Sequence, residues 1–452
     1  IDGTGIGIAV LDTGLWKTSG IRYDSAGGER IKAVYNAMTD QVAASPLSGD
    51  DPAGHGSHVA SIAVSSLMTA DGTARYNGVA PGAHLVSVQA FDQNGQGTYA
   101  DVIRAIDWIV ANKSKHKIRI LNASFSAEAR SHYWDDPINQ AIMVAWQNEI
   151  FVVAAAGNRG PEAMTIGVPG NVPYVMTVGA MTDSFTPSDP SDDKLASFSS
   201  AGPTYEGFMK PEVVAPGGHM RGLVQNNSTL STSYPEFYDG DYFEMSGTSQ
   251  ATAVVSGIAA LALQAEPWRS VDELKCKIMS AAKPATITTG KGGNKTTTLA
   301  YSVFQQGAGM VDAYAAIMNQ TVDCANVGLH VDNDVDGYQH FGGPANQLTD
   351  GTFYMRGELD SAETGYAWDG GYTDSSGYMW TDGYQWTDGY MWTNGYQWTD
   401  GSVGIDGYMW TGGDGVSIDG YQWTDGGVSI NGYMWTGALT EMATMSSWVE
   451  PE

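Results

Sequence analysis

A chain of 452 residues with 22 Lys and Arg against 50 Asp and Glu carries a formal net charge of −28. That balance excludes nucleic acid as a default partner, because phosphate recognition needs clustered cations, and argues equally against an anionic membrane surface. No run approaches the roughly 20 apolar residues of a membrane span, and the length exceeds one typical domain, so two regions are expected.

From Ile1 to about Ala316, short β-rich apolar runs alternate with longer helical stretches. The spacing predicts strands over 6–11, 85–91, 118–122, 150–156 and 174–178, and helices over 58–66, 99–112, 137–148, 251–264 and 271–282. Alternation of this kind implies an α/β fold: a parallel sheet covered by helices on both faces, with reactive groups gathered at the carboxyl ends of the strands. Acidic or Gly-rich stretches over 23–41, 226–241 and 286–298 read as surface loops. From Asn319 to about Thr364 the periodicity fades, which suggests a linker or small accessory unit.

A repeat follows. Gly-Tyr-X-Trp recurs from Gly365, Gly377, Gly383, Gly389, Gly395, Gly407, Gly420 and Gly432, with a period of six between Tyr378 and Asp400. Tyr and Trp two positions apart share one face of a strand, and Asp-Gly or Asn-Gly suits a two-residue turn. A tight antiparallel meander and a narrow β-solenoid both meet that period. The expected division is 1–318, an α/β domain; 319–364, the linker or accessory unit; 365–437, a β-rich aromatic repeat; and 438–452, a C-terminal tail.

Three blocks carry the chemistry. Met245-Ser246-Gly247-Thr248-Ser249-Gln250 runs into a small-residue helix, so Ser249 falls at a first turn, where unpaired N–H groups favour nearby negative charge. A serine hydroxyl is a poor nucleophile alone and needs a base with an orienting acid. Both lie upstream: a strand ending Leu11-Asp12-Thr13-Gly14, and Gly54-His55-Gly56-Ser57-His58-Val59-Ala60 at the start of another small-residue helix. The Asp-Thr-Gly, His-Gly-Ser-His-Val-Ala and Gly-Thr-Ser-Gln-Ala-Thr blocks resemble those of the subtilisin-like serine proteases. Ala154-Ala155-Ala156-Gly157-Asn158 is similar to the oxyanion-asparagine block of that family, and Phe198-Ser199-Ser200-Ala201-Gly202-Pro203 with Lys210–Gly217 is similar to a fifth.

The resemblance spans about Ile1 to Ala316 and implies a subtilisin-like fold. It makes Ser249 the nucleophile, His55 the general base, Asp12 the group that orients the imidazole, and Asn158 an oxyanion donor. Gly95, Gln96 and Gly97, with Ser124, Phe125 and Ser126, correspond to the two edges that pair with substrate backbone, and Gly167 to the floor of the pocket for the residue before the cleaved bond. Ser126 stands where the family often has glycine, which bears on the width of that pocket. The substrates implied are proteins or peptides, with broad specificity and an apolar preference. No cofactor is required for catalysis, and the location implied is secreted, extracellular or at the cell surface. The chain begins Ile1-Asp2-Gly3, like a mature enzyme whose leader and propeptide have been removed.

Outside these blocks, Asp332, Asp334 and Asp336 form the first half of an EF-hand-like loop, but Gly343 occupies its twelfth position. A structural calcium site and a solvated acidic turn both remain open there. Cys276 and Cys324 are a disulfide pair or two buried thiols. The repeat could join copies of the chain into a homo-oligomer, dock on the catalytic domain or stack its rings internally, with carbohydrate binding ranked below self-assembly. The reading that competes with an enzyme is a catalytically inactive scaffold of the same fold, serving binding or assembly.

Overall fold

The structure, a computed structural model, describes residues 1–69, 75–184, 186, 192–289, 295–355, 368 and 370–371, together with the backbone of 379–380, 396–397 and 442–445. The elements open with β1 (Gly7–Asp12), α1 (Ser19–Arg22), β2 (Ile31–Asn36), β3 (Gln41–Val42), α2 (His55–Val64) and β4 (His84–Gln89). They continue with β5 (Gln96–Thr98), α3 (Tyr99–His116), β6 (Ile118–Ala123), β7 (Phe125–Ser126), α4 (Pro137–Gln147), β8 (Phe151–Ala155) and β9 (Met176–Thr182). After β10 (Lys194–Leu195) and β11 (Val213–Pro216) come α5 (Thr229–Ser233), α6 (Thr248–Ala265) and α7 (Val271–Ala281).

Among these residues a nine-stranded sheet runs β10-β9-β8-β6-β1-β4-β2-β3, with β11 also paired to β9. Only the β9–β10 and β2–β3 pairs are antiparallel. The fold is therefore the expected subtilisin-like α/β arrangement. Its central strands read as continuous apolar runs because helices shield both faces: every residue of β1 and β8 is buried. By contrast, α3 is amphipathic, burying Tyr99, Val102, Ala105, Ile106 and Ile109, and its first turn is capped by Thr98, which accepts from the Asp101 N–H.

Two expected loops are strands instead. β2 lies inside the 23–41 stretch, burying Ile31, Ala33 and Tyr35 by strict alternation. Tyr35 stacks on Trp108 of α3 at 4.7 Å, so the packing that fixes β2 comes from a distant helix and not from its Gly- and Asp-rich flanks. The 286–298 stretch likewise contributes to an antiparallel pair, Ala285–Thr289 with Thr296–Leu299.

Beyond Asn319 the described residues keep close to the body. A disulfide joins Cys276 of α7 to Cys324, with Cα atoms 5.2 Å apart. A short helix, Val331–Val335, and a strand pair, Ala345–Gln347 with Phe353–Met355, follow. Trp368, from the first repeat copy, is buried against Phe304 and Phe353. Met379–Trp380 pairs with Ala285–Thr286, and Tyr396–Gln397 with Phe341–Gly342. The rest of the repeat expected over 365–437 lies outside the described residues. Among the described residues no helix is long and apolar enough to cross a membrane.

The disulfide closes a sequence separation of 48 residues. Replacing both cysteines with alanine should lower unfolding free energy by about 2–4 kcal/mol through the entropy regained by the unfolded chain. Denaturant titration of the pair of proteins, each carrying Ser249→Ala, measures this. An unchanged midpoint would show that the link adds no stability.

Candidate active site

The carboxyl ends of β1 and β8 and the first turns of α2 and α6 meet at one edge of the sheet. Asp12 ends β1 and is buried; Thr13 donates to its Oδ1 from the backbone at 2.7 Å and from Oγ1 at 3.2 Å. His55 opens α2, with Nδ1 at 2.9 and 3.0 Å from the two Asp12 oxygens. That contact places the ring proton on Nδ1 and leaves the Nε2 lone pair for a base. Nε2 is buried and has no hydrogen-bond partner among the described residues.

Ser249 lies in the first turn of α6, and its Oγ donates to the Ser124 carbonyl at 3.1 Å. Gln250, the next residue, donates from Nε2 to His58 Nδ1 at 3.3 Å, tying the first turns of α2 and α6 together. Asn158 follows β8. Its Oδ1 accepts from the Thr248 N–H at 3.0 Å and from Thr248 Oγ1 at 2.9 Å. The amide is thereby oriented with Nδ2 buried and unpaired among the described residues. A Cβ on Gly247 would stand 2.6 Å from Gln250 Oε1 and 3.3 Å from Asn158 Nδ2, so a side chain there must displace the Gln250 amide.

Beside this centre, β5 and β7 do not pair with each other; the Met442–Met445 strand lies between them, antiparallel to both. Gly97 presses on the Ala90 carbonyl, which a Cβ would meet at 2.2 Å, so β5, with Gly95 at its turn, is held as an edge. Ala127 and Val168 exchange two backbone hydrogen bonds of 2.9 Å and bring Gly167 under β7. The Ser126 hydroxyl fills the space there: it would be 2.0 Å from a Cβ on Gly167 and 3.1 Å from one on Gly157.

The three acidic residues of the expected loop do not converge. Val331–Val335 is a short helix, and the buried Asp334 accepts from the Tyr133 hydroxyl at 2.5 Å and the Tyr174 hydroxyl at 3.0 Å, with His340 Nδ1 at 2.7 Å. Asp332 accepts from Gln147 Nε2. Among the described residues no group of three His, Cys, Asp or Glu side chains is placed to hold a metal ion.

The model of the subtilase family matches residues 3–309. The chain belongs to that family. This subtilase is 37% identical over 281 residues to the serine protease AprX of Bacillus subtilis, covering 61% of this chain and 60% of AprX. It is 34% identical over 308 residues to bacillopeptidase F of the same organism, covering 64% of this chain and 19% of that protein. It thus spans less than two thirds of either relative. Among solved structures, sphericase superposes with a TM-score of 0.52 at 26% identity, covering 68% of this chain and 91% of that one.

The family blocks do not reveal the work of Asp51. This buried carboxylate accepts from Thr13 Oγ1 at 2.7 Å, the Gly54 N–H at 2.9 Å, the Ser57 N–H at 2.7 Å and Ser57 Oγ at 2.6 Å. It locks the turn after Asp12 to the start of the His55 helix. The only sequence signal was an acid four positions before His55.

The second histidine of the subtilase block is structural. His58 is buried, with Nε2 at 3.0 Å from the Phe243 carbonyl and 3.2 Å from that of Met220, while Nδ1 accepts from Gln250. Burial, aided by nearby His55, pushes its pKa down to about 3. An unfolded histidine titrates near 6.5, so acid protonates the unfolded chain first, and the stability held by the neutral ring is lost as pH falls from about 6.5 toward 3. His58→Gln, again with Ser249→Ala, should therefore lose stability less steeply in that window, by up to about 1.4 kcal/mol per pH unit. Parallel acid-limb slopes in denaturant titrations would contradict this.

Proposed function

We propose that the chain is an exported serine endopeptidase that hydrolyses peptide bonds through Ser249, His55 and Asp12. The observation that carries this reading is a pair of buried groups of complementary chemistry that are unpaired among the described residues: His55 Nε2, backed by Asp12, and Asn158 Nδ2, held in place by Thr248. One is a base without a proton source; the other is a donor without an acceptor. A substrate carbonyl attacked by Ser249 Oγ satisfies both. The hydroxyl proton passes to His55 Nε2, Asp12 stabilises the imidazolium, and Asn158 Nδ2 with the Ser249 N–H binds the oxyanion. His55 then protonates the leaving amine, and water repeats the sequence on the acyl-enzyme. This chemistry requires no cofactor.

Export accords with the disulfide and the charge of −28. Specificity should be broad, with an apolar preference before the cleaved bond, bounded by the Ser126 hydroxyl over Gly167. The repeat fragments that pair with Ala285–Thr286 and Phe341–Gly342 favour docking on the chain's own body over chain-to-chain association.

A fluorophosphonate probe should label Ser249 in the wild type and leave Ser249→Ala unlabelled; no labelling of folded wild type would favour the inactive-scaffold reading. Ser249→Ala should lower turnover roughly 10⁶-fold, and Asn158→Ala roughly 10²–10³-fold in kcat with KM little changed, because its donor meets charge formed only in the transition state. A rise in KM alone for Asn158→Ala would assign that residue to substrate binding.

Ser126→Gly tests the pocket. Removing the hydroxyl should raise the kcat/KM ratio for Phe over Ala before the cleaved bond about tenfold or more, within the range that a few atoms of pocket space provide. Competing peptide substrates measured together give that ratio; no change would place the pocket elsewhere.

A further inference from the structure

The substrate slot of this fold already holds a peptide. β5 and β7 are two strand edges separated by the width of one strand, and Met442–Met445 fills the gap as the middle member of a three-stranded antiparallel sheet. On one side Met442, Ala443 and Thr444 stand opposite Thr98, Gly97 and Gln96; on the other, Thr444 and Met445 stand opposite Ser126 and Phe125. We propose that Met442–Met445 is a built-in, substrate-like occupant of the cleft, which peptide substrates must displace. The kinetic consequence rests on the endopeptidase reading; the occupancy itself does not.

Three observations support the assignment. The first is direction. Passing from Thr444 to Met445, the strand moves along β7 from Ser126 to Phe125, toward Ser124, whose carbonyl accepts from Ser249 Oγ. A peptide in this sense is led toward the nucleophile. The second is sequence. Between Gly365 and Gly437 no run free of glycine exceeds five residues, whereas 438–450 contains neither Gly nor Pro. An edge-pairing segment needs an extended run with every N–H available, and beyond Gly365 the tail alone provides one. Its Met-Ala-Thr-Met core is also uncharged, in a chain of net charge −28.

The third is tethering. Tyr396–Gln397 pairs with Phe341–Gly342 on the body, which leaves about 45 residues of chain before Met442. A segment attached in this way meets its site at an effective concentration on the order of millimolar, so even a weak peptide site fills. Occupancy of that kind raises the apparent KM for other peptides and leaves kcat unchanged once they have displaced it.

The test compares the full chain with a full chain carrying Ala443→Pro and Thr444→Pro, which removes two backbone donors from the pairing strand. In the Ser249→Ala background, hydrogen exchange of the amides over 96–98 and 125–126 should be at least about tenfold faster in the proline variant. In the active background, KM for a short peptide substrate should fall severalfold at unchanged kcat, and Ser249 should react faster with a fluorophosphonate. Equal exchange and equal KM in the two chains would overturn the proposal. Protection that grows with protein concentration would also overturn it, by assigning the strand to a second copy. If neither chain hydrolyses peptide, the endopeptidase reading fails while exchange still decides occupancy. If the proline variant does not fold, a chain ending at Gly437 is measured in its place, with the same outcomes.

Discussion

The active end of the molecule depends on how closely α6 lies against its surroundings. A helix buried on nearly all sides must be built of small residues, and α6 is, through Ala251, Ala253, Gly257, Ala259, Ala260 and Ala262. At Gly257 a Cβ would come within 2.5 Å of Val79 Cβ, so one added methyl would lift the helix. That close fit sets where Ser249 stands. It also forces polar groups of the helix into the interior, where each needs a partner. Ser256 Oγ donates to Asn122 Oδ1, Asn122 Nδ2 to Ser124 Oγ, and Ser124 Oγ to the Ser249 carbonyl, at 2.9, 2.9 and 3.0 Å. Ser249 is thus anchored by a buried chain of hydrogen bonds that starts two helical turns away. Such a network holds a unique geometry only while every member is satisfied.

The same demand for satisfaction separates the two histidines of the His55 block. Both are buried, yet only His55 faces a carboxylate, and only its Nε2 is left unpaired among the described residues. His58 has backbone carbonyls at one nitrogen and the Gln250 amide at the other, and burial keeps its ring neutral. A charged His58 would raise the cost of forming an imidazolium at His55, three residues away. In the proposed mechanism, keeping the neighbour neutral therefore protects the positive charge that develops on His55. Asp51 completes the arrangement by fixing Thr13 and the first turn of α2, so that Asp12 and His55 are presented at hydrogen-bond distance before any substrate arrives.

What could be read from sequence was what sequence encodes locally. Asp12, His55, Ser249 and Asn158 stood out because the blocks around them resemble those of one family, and glycine in such a block has a local reason: Gly56 lies where a Cβ would be 2.4 Å from the Gly14 carbonyl. The main sheet was legible because its central strands are apolar from end to end. β2 was hidden because its alternation spans only Ile31, Ala33 and Tyr35, between flanks that signal a turn, and its packing partner Trp108 is far along the chain. Asp51 was hidden because an acid before a helix has an ordinary role as a cap. The acidic run at Asp332 was legible as a feature but ambiguous as chemistry; the tyrosine hydroxyls that take up Asp334 come from residues 133 and 174.

The least legible feature, the Met442–Met445 strand, is also the one that follows most directly from the fold. A cleft that recognises extended peptide by main-chain hydrogen bonding must present two strand edges with their N–H and C=O groups unmatched. Unmatched edges invite any available strand, and the nearest strand is always part of the same chain. Recognition by backbone carries little side-chain code, so no residue pattern in the tail announces its destination. A fold that binds many peptides must therefore govern which segments of its own sequence can lie extended. The frequent glycines of the Gly-Tyr-X-Trp repeat limit uninterrupted extension, whereas 438–450 leaves it open. On the proposed reading, breadth of specificity and susceptibility to self-occupancy are one property of the cleft, and the spacing of glycine beyond Gly365 bears on which segment exercises it.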